Sequence, residues 1–152
     1  MPHNGVYRVD PKGEVGLLIP DLTWPDGLAF SPDEKTLYVA VSDPSDPRIM
    51  AYEVQSNGSV ANGRTFFDAK PLRDQDHGGT CDGLKVDVQG NIWATGPGGV
   101  LVITPAGKHL GSILTNQLTG NCCWGDDGGT LYIAAHRFLI RVKTATKGAG
   151  WQ

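Results

Sequence analysis

Two aspartates and an asparagine stand at matching places in three similar segments of the chain. Asp26 lies in Trp24-Pro25-Asp26-Gly27, Asp82 in Thr80-Cys81-Asp82-Gly83, and Asn121 opens Asn121-Cys122-Cys123-Trp124. Each stands at the head of a short strand-like run, so each would enter its strand at the same point of a repeated unit. Arranged about a common axis, such units bring two carboxylates and an amide oxygen toward one centre. Oxygens gathered in that way repel one another unless a cation or a proton sits among them, and a hard ion such as Ca²⁺ suits them. The competing reading is that Asp-Gly pairs here only shape turns.

Other residues carry weaker signals. His77 lies in the loop leading to Asp82, where contact with a substrate or proton shuttling competes with the role of an ordinary exposed loop histidine. His136 follows the return strand of the third segment and could face the same centre. Trp24 would either wall that centre or pack between units. Asp33, Asp87, Asp126 and Asp127 fall at the opposite end of the same segments, where turn formation explains them. Cys81, Cys122 and Cys123 are odd in number and two are adjacent. That is a poor disulfide framework and a poor zinc pattern, which leaves small packed thiols.

The elements that must position these residues are hairpins. Leu28-Ala29-Phe30 alternates, Ser31-Pro32-Asp33-Glu34-Lys35 turns, and Leu37-Tyr38-Val39-Ala40 returns. Leu84-Lys85-Val86-Asp87 turns at Val88-Gln89-Gly90 and returns as Asn91-Ile92-Trp93-Ala94. The third copy runs Asn121 to Trp124, turns through Gly125-Asp126-Asp127-Gly128-Gly129 and returns as Thr130 to Ala134. Further strands follow each hairpin: Ile49–Val54 and Arg64–Asp68 after the first, Gly99–Ile103 and His109–Ile113 after the second, Phe138–Val142 after the third. Gly5–Val9 and Val15–Ile19 precede the first. The strand groups therefore number two, four, four and three.

Composition agrees with an all-β chain. The 152 residues include 21 Gly and 10 Pro, and the apolar runs are short and rich in Val, Ile, Leu and Tyr. No long window has a helical apolar period, so almost no helix is expected. Net charge is −3 with both signs interspersed, which offers no basic stripe for nucleic acid and no polybasic patch for a membrane. No apolar run approaches the roughly 20 residues of a membrane-spanning helix.

Four-stranded units of about 40 residues are the pattern of propeller blades. The expected fold is a β-propeller of four-stranded antiparallel blades, with about three blades of a six-bladed ring present in residues 1–152. A small sheet sandwich is the alternative. Because a ring needs roughly four to eight blades, the chain reads as the carboxy-terminal half of a domain whose amino-terminal half is missing. Apolar faces meant for neighbouring blades should then be exposed.

With these motifs in order, the chain resembles the SMP-30/gluconolactonase family of six-bladed, metal-dependent lactonases. The resemblance is carried by residues 24–40, by Cys81-Asp82-Gly83-Leu84-Lys85-Val86-Asp87 with Gly90-Asn91-Ile92-Trp93, and by Asn121-Cys122-Cys123-Trp124-Gly125. In that family the first motif usually reads Pro-Asn-Gly, with the Asn a metal ligand; here Asp26 takes its place, adding a charge. The second usually reads Pro-Asp-Gly, with the Asp both ligand and catalytic residue; here it is Asp82, preceded by Cys81 instead of proline. The resemblance thus implies Asp26 and Asp82 as metal ligands and Asp82 as catalytic; Asn121 and His77, read from their positions alone, are weaker candidates for lining the channel or touching substrate. It implies a divalent cation, Ca²⁺ first and Zn²⁺ or Mg²⁺ as alternatives, and a small lactone as substrate. The family's remaining ligands, a Glu and an Asn from earlier blades, have no counterpart here, so the chain alone would be inactive. The rival functions are a non-catalytic propeller serving as a binding module and a related esterase or phosphotriesterase.

Overall fold

Buried residues follow the strand period, and they alternate between two interfaces. The computed structural model describes residues 4–75 and 78–151. Its first sheet pairs β1 (Val6–Val9) with β2 (Val15–Ile19). The second has the order β3 (Pro25–Phe30), β4 (Thr36–Val41), β5 (Arg48–Val54), β6 (Val60–Asp68). After a helical turn, α1 (Lys70–Arg73), the third runs β7 (Leu84–Val86), β8 (Ile92–Gly96), β9 (Gly99–Ile103), β10 (His109–Leu114). The last is β11 (Thr119–Gly125), β12 (Thr130–Ala135), β13 (Phe138–Lys143). Every pairing between these strands is antiparallel and joins neighbours in sequence. The sheets therefore hold two, four, four and three strands, the grouping expected from sequence, and they stack as consecutive blades with β3 against β7 and β7 against β11.

Strand β4 shows how the stack is held. Leu37, Val39 and Val41 point one way, into a cluster with Val6, Ile19 and Leu22. Tyr38 and Ala40 point the other way, into a cluster with Leu84, Ile92 and Leu101. Side chains of a strand alternate between faces, so one central strand glues two blades and must be apolar throughout. Strands β8 and β9 repeat the device. Ile92, Ala94, Leu101 and Ile103 join the cluster with Tyr38, while Val100 and Trp93 meet Trp124, Leu131 and Ile133 on the other side.

The outer faces lack such cover. Leu139 on β13 is 74% exposed, and Val9 and Val15 are 64% and 62% exposed. Leu28 and Phe30 on β3 are also exposed, on the side where β1 and β2 cover only part of the next sheet. These are the unpartnered blade faces the sequence led us to expect.

Two segments are tied down by distant parts of the chain. Lys70–Arg73 forms the helical turn α1, where Asp68 Oδ1 accepts from Lys70 N at 2.9 Å and Pro71 occupies the first turn. Ala69 is fully buried and Leu72 packs against the same core, which ties the turn down. The closing residues do not run out into solvent. Ala149 N donates to Val86 O and Val88 N to Lys147 O, both at 2.9 Å, so the tail lies along the end of β7. Asp87 and Gly148 form an antiparallel bridge there. Among the described residues no helix is long and apolar enough to cross a membrane.

Candidate metal and catalytic site

The inner strands β3, β7 and β11 start side by side, and glycine makes this possible. Gly27 N donates to Asp82 O at 3.2 Å, and Gly83 N donates to Gly120 O at 3.0 Å, so each blade hands one backbone bond to the next. A Cβ on Gly27 would lie 2.3 Å from Asp82 O, and one on Gly83 would lie 2.1 Å from Asn121 Oδ1. Neither contact is possible for any other residue without moving a strand. Thr95, fully buried, clamps the second junction: its N and Oγ1 both donate to Gly83 O, at 2.8 and 3.1 Å.

This geometry separates two kinds of aspartate. Asp33, Asp43, Asp87 and Asp127 each accept a hydrogen bond from the backbone N–H two residues on, the mark of an Asx turn. Among the described residues Asp26 and Asp82 accept no such bond, and neither Gly27 nor Gly83 has positive φ. Their Asp-Gly pairs therefore serve close approach between strands rather than a turn. A register irregularity between Pro25 and Leu28 falls on Asp26 and Gly27, and another between Thr119 and Asn121 falls on Gly120 of β11. Bulges of this kind re-aim side chains at the rim of a sheet.

Asp26 and Asp82 are brought together. Asp26 is exposed and Asp82 half-buried. Burial, then the negative charge of Asp26, then a hydrogen bond between the two carboxyl groups push Asp82 up to about 6 from the ordinary 3.8. Two carboxyl groups at that separation hold a proton between them or attract a cation. Asp82 opens into a cleft of about 410 Å³ walled by Thr80, Leu118, Thr119, Gly120, Ala134 and His136. Ser42 Oγ and Thr80 Oγ1 lie 2.9 Å apart and link this wall to the loop after β4.

Asn121 is placed differently. Its Oδ1 accepts from Cys122 N at 2.9 Å and packs over Gly83, and its side chain borders a separate groove with Lys85, Cys123, Tyr132 and Leu139. Two neighbouring residues of β11, Thr119 and Gly120, line the Asp82 cleft instead. Sequence reading passed over Thr80, Thr95, Thr119 and Gly120. The available signal was position, since Thr80 and Gly120 directly flank the motif residues. Trp24 is 53% exposed. His77 lies outside the described residues.

The thiols are inert packing groups where they are covered. Burial pushes Cys81 and Cys122 up to about 12, and all three cysteines are free. Among the described residues no three His, Cys, Asp or Glu side chains gather as a metal cluster. The Asp26 and Asp82 carboxylates still fit a hard cation in kind. They supply oxygen ligands, those of Asp82 at an open cleft, and their mutual repulsion is what a cation would relieve. Ca²⁺ takes six to eight oxygens, so this pair is part of a donor set.

Comparison with known proteins follows the same outline. The family model for the SMP-30/gluconolactonase/LRE-like region matches residues 1–137. The gluconolactonase of Zymomonas mobilis is 43% identical over 152 residues, covering 97% of this chain and 42% of that protein. Lactonohydrolase oryH of Aspergillus oryzae is 35% identical, covering 94% of this chain and 34% of its own length. A solved gluconolactonase from Xanthomonas campestris superposes with a TM-score of 0.80 at 31% identity, over 97% of this chain and 46% of that one. Regucalcin of Agrobacterium tumefaciens shares the fold, with a TM-score of 0.74 at 23% identity. The chain thus spans less than half the length of the gluconolactonase of Zymomonas mobilis and of lactonohydrolase oryH.

Proposed function

Because this chain belongs to the SMP-30/gluconolactonase family, we propose that the protein carrying it hydrolyses a sugar lactone with the help of a divalent cation, Ca²⁺ first. The single observation behind this reading is the pair of carboxyl groups, Asp26 and Asp82, facing each other from consecutive inner strands, with Asp82 opening into a cleft. Gluconolactonase and lactonohydrolase activities among the relatives point to the same class of substrate. A propeller used only for binding has no need of two acidic groups held in repulsion.

Residues 1–152 are taken as part of a longer ring, since the matched relatives are more than twice this length and apolar blade faces stand exposed. The chain alone would lack part of the cation's donor set and would be inactive.

Asp26 and Asp82 would hold the cation. Bound there, it would supply Lewis-acid stabilisation for the negative charge that develops on the lactone carbonyl oxygen. Asp82 accepts the proton of the attacking water. Asp26 orients that carboxylate and keeps it from swinging to solvent. Thr80 and Thr119 line the same cleft and offer hydroxyls to the ring substituents.

The test is Asp82→Ala in the full-length protein, assayed on D-glucono-δ-lactone with Ca²⁺ and with a chelator. Loss of a general base costs roughly 10²–10⁴ in rate. Turnover should fall at least that far, and wild-type turnover should stop in chelator. Near-normal hydrolysis by the variant would refute the assignment.

A further inference from the structure

The hairpin that walls the cleft of Asp82 carries a histidine at its turn. Strands β12 and β13 are joined by His136 and Arg137 alone, with Ala135 paired to Phe138. Two-residue hairpins of this kind take positive φ at the first turn position, where Gly, Asn or Asp is cheapest. His136 occupies that position with φ 52°. Among the described residues Asn62, Asn116 and Asp126 also take positive φ, and histidine belongs with Asn and Asp among the types that enter this conformation. His136 N donates to Leu118 O at 2.8 Å, which clips the hairpin to the segment entering β11. Its residue forms one wall of the cleft that holds Asp82, beside Thr80, Thr119 and Gly120.

Backbone bonding to Leu118 would serve equally well with glycine, so what histidine adds at this wall of the cleft is its imidazole. We propose that His136 is a specificity-determining residue, its imidazole hydrogen-bonding ring hydroxyls of a polyhydroxylated lactone seated at Asp82. This deepens the lactonase reading and rests on it. An imidazole both donates and accepts, which suits hydroxyl groups, and it has nothing to offer an unsubstituted lactone ring.

The experiment uses the full-length protein with Ca²⁺ and two probes, D-glucono-δ-lactone and δ-valerolactone. His136→Gly and His136→Asn both suit a left-handed backbone, so melting temperatures should stay at or above wild type. For the Gly variant KM for gluconolactone should rise about tenfold with kcat little changed, the pattern of a lost uniform binding contact. Kinetics on δ-valerolactone should not move, and the Asn variant should recover part of the loss. An unchanged KM for gluconolactone, or an equal loss on both probes, overturns the role of His136 and leaves the lactonase reading standing. A wild-type protein that cleaves neither lactone overturns that reading, and this proposal with it.

Discussion

Replacing Asp82 with asparagine keeps the shape of the side chain and removes its charge, which makes the carboxyl pair visible in stability. In the folded protein burial and the Asp26 carboxylate push Asp82 up to about 6, against an ordinary 3.8. The folded state therefore binds this proton more tightly than the unfolded chain does. Its contribution to stability is complete below the unfolded value and is lost as pH rises through about 6. The gap corresponds to roughly 3 kcal/mol at about 1.4 kcal/mol per pH unit. Asp82 is only half-buried and solvent screens the pair, so we expect about 1 kcal/mol. The assay is denaturant unfolding of the full-length protein in chelator at pH 4 and pH 7. Wild type should lose about 1 kcal/mol more than Asp82→Asn over that interval. Saturating Ca²⁺ at pH 7 should restore the wild type and leave the variant unchanged, because the cation then replaces the proton between the carboxylates. Identical pH dependence in the two proteins would refute the reasoning, since it would mean that Asp26 and Asp82 do not face each other in solution.

Further outcomes follow from packing. Gly83→Ala would set a methyl 2.1 Å from Asn121 Oδ1 and 2.9 Å from its Cα, so β11 must shift; unfolding midpoints should show a loss of about 1–3 kcal/mol. Gly16→Ala is the control, because nothing lies within 4 Å of a Cβ there, and it should change stability by no more than about 0.5 kcal/mol. Asp87 is fully buried and accepts from Gln89 N, Asn91 N, Asn91 Nδ2 and Trp93 Nε1 at 2.8–3.1 Å. Asp87→Ala leaves these donors unpaired, which should cost roughly 2–4 kcal/mol. Tryptophan fluorescence reports it, since Trp93 packs edge-on to Trp124 with ring centroids 5.3 Å apart.

Much of this molecule was legible in its residues. Alternation in Leu37-Tyr38-Val39-Ala40 and Gly99–Ile103, with turn residues between, specified strands because the side-chain period of a strand is a local property. Repetition of the hairpin then specified blades, since a unit with two apolar faces needs a like unit on each side. The site was only partly legible. Asp26 and Asp82 could be named from their matching places, and so could Asn121, yet nothing local distinguished an asparagine whose oxygen turns back to Cys122 N from one aimed into the cleft. The short helix after Asp68 was hidden for a similar reason, as the burial of Ala69 and Leu72 comes from distant strands.

The amino-acid sequence by itself determined the strands, their grouping into blades and the acidic residue at the head of two inner strands, because period, turn type and charge are written along the chain. Only the tertiary structure decided that the glycines of Asp26-Gly27 and Asp82-Gly83 exist for close strand approach, that Asp82 takes up its proton near 6, and that Thr80, Thr119 and His136 share its cleft. Those facts depend on distances between segments far apart in sequence, set by bulges and by backbone contacts narrower than one methyl group, and no local pattern encodes them.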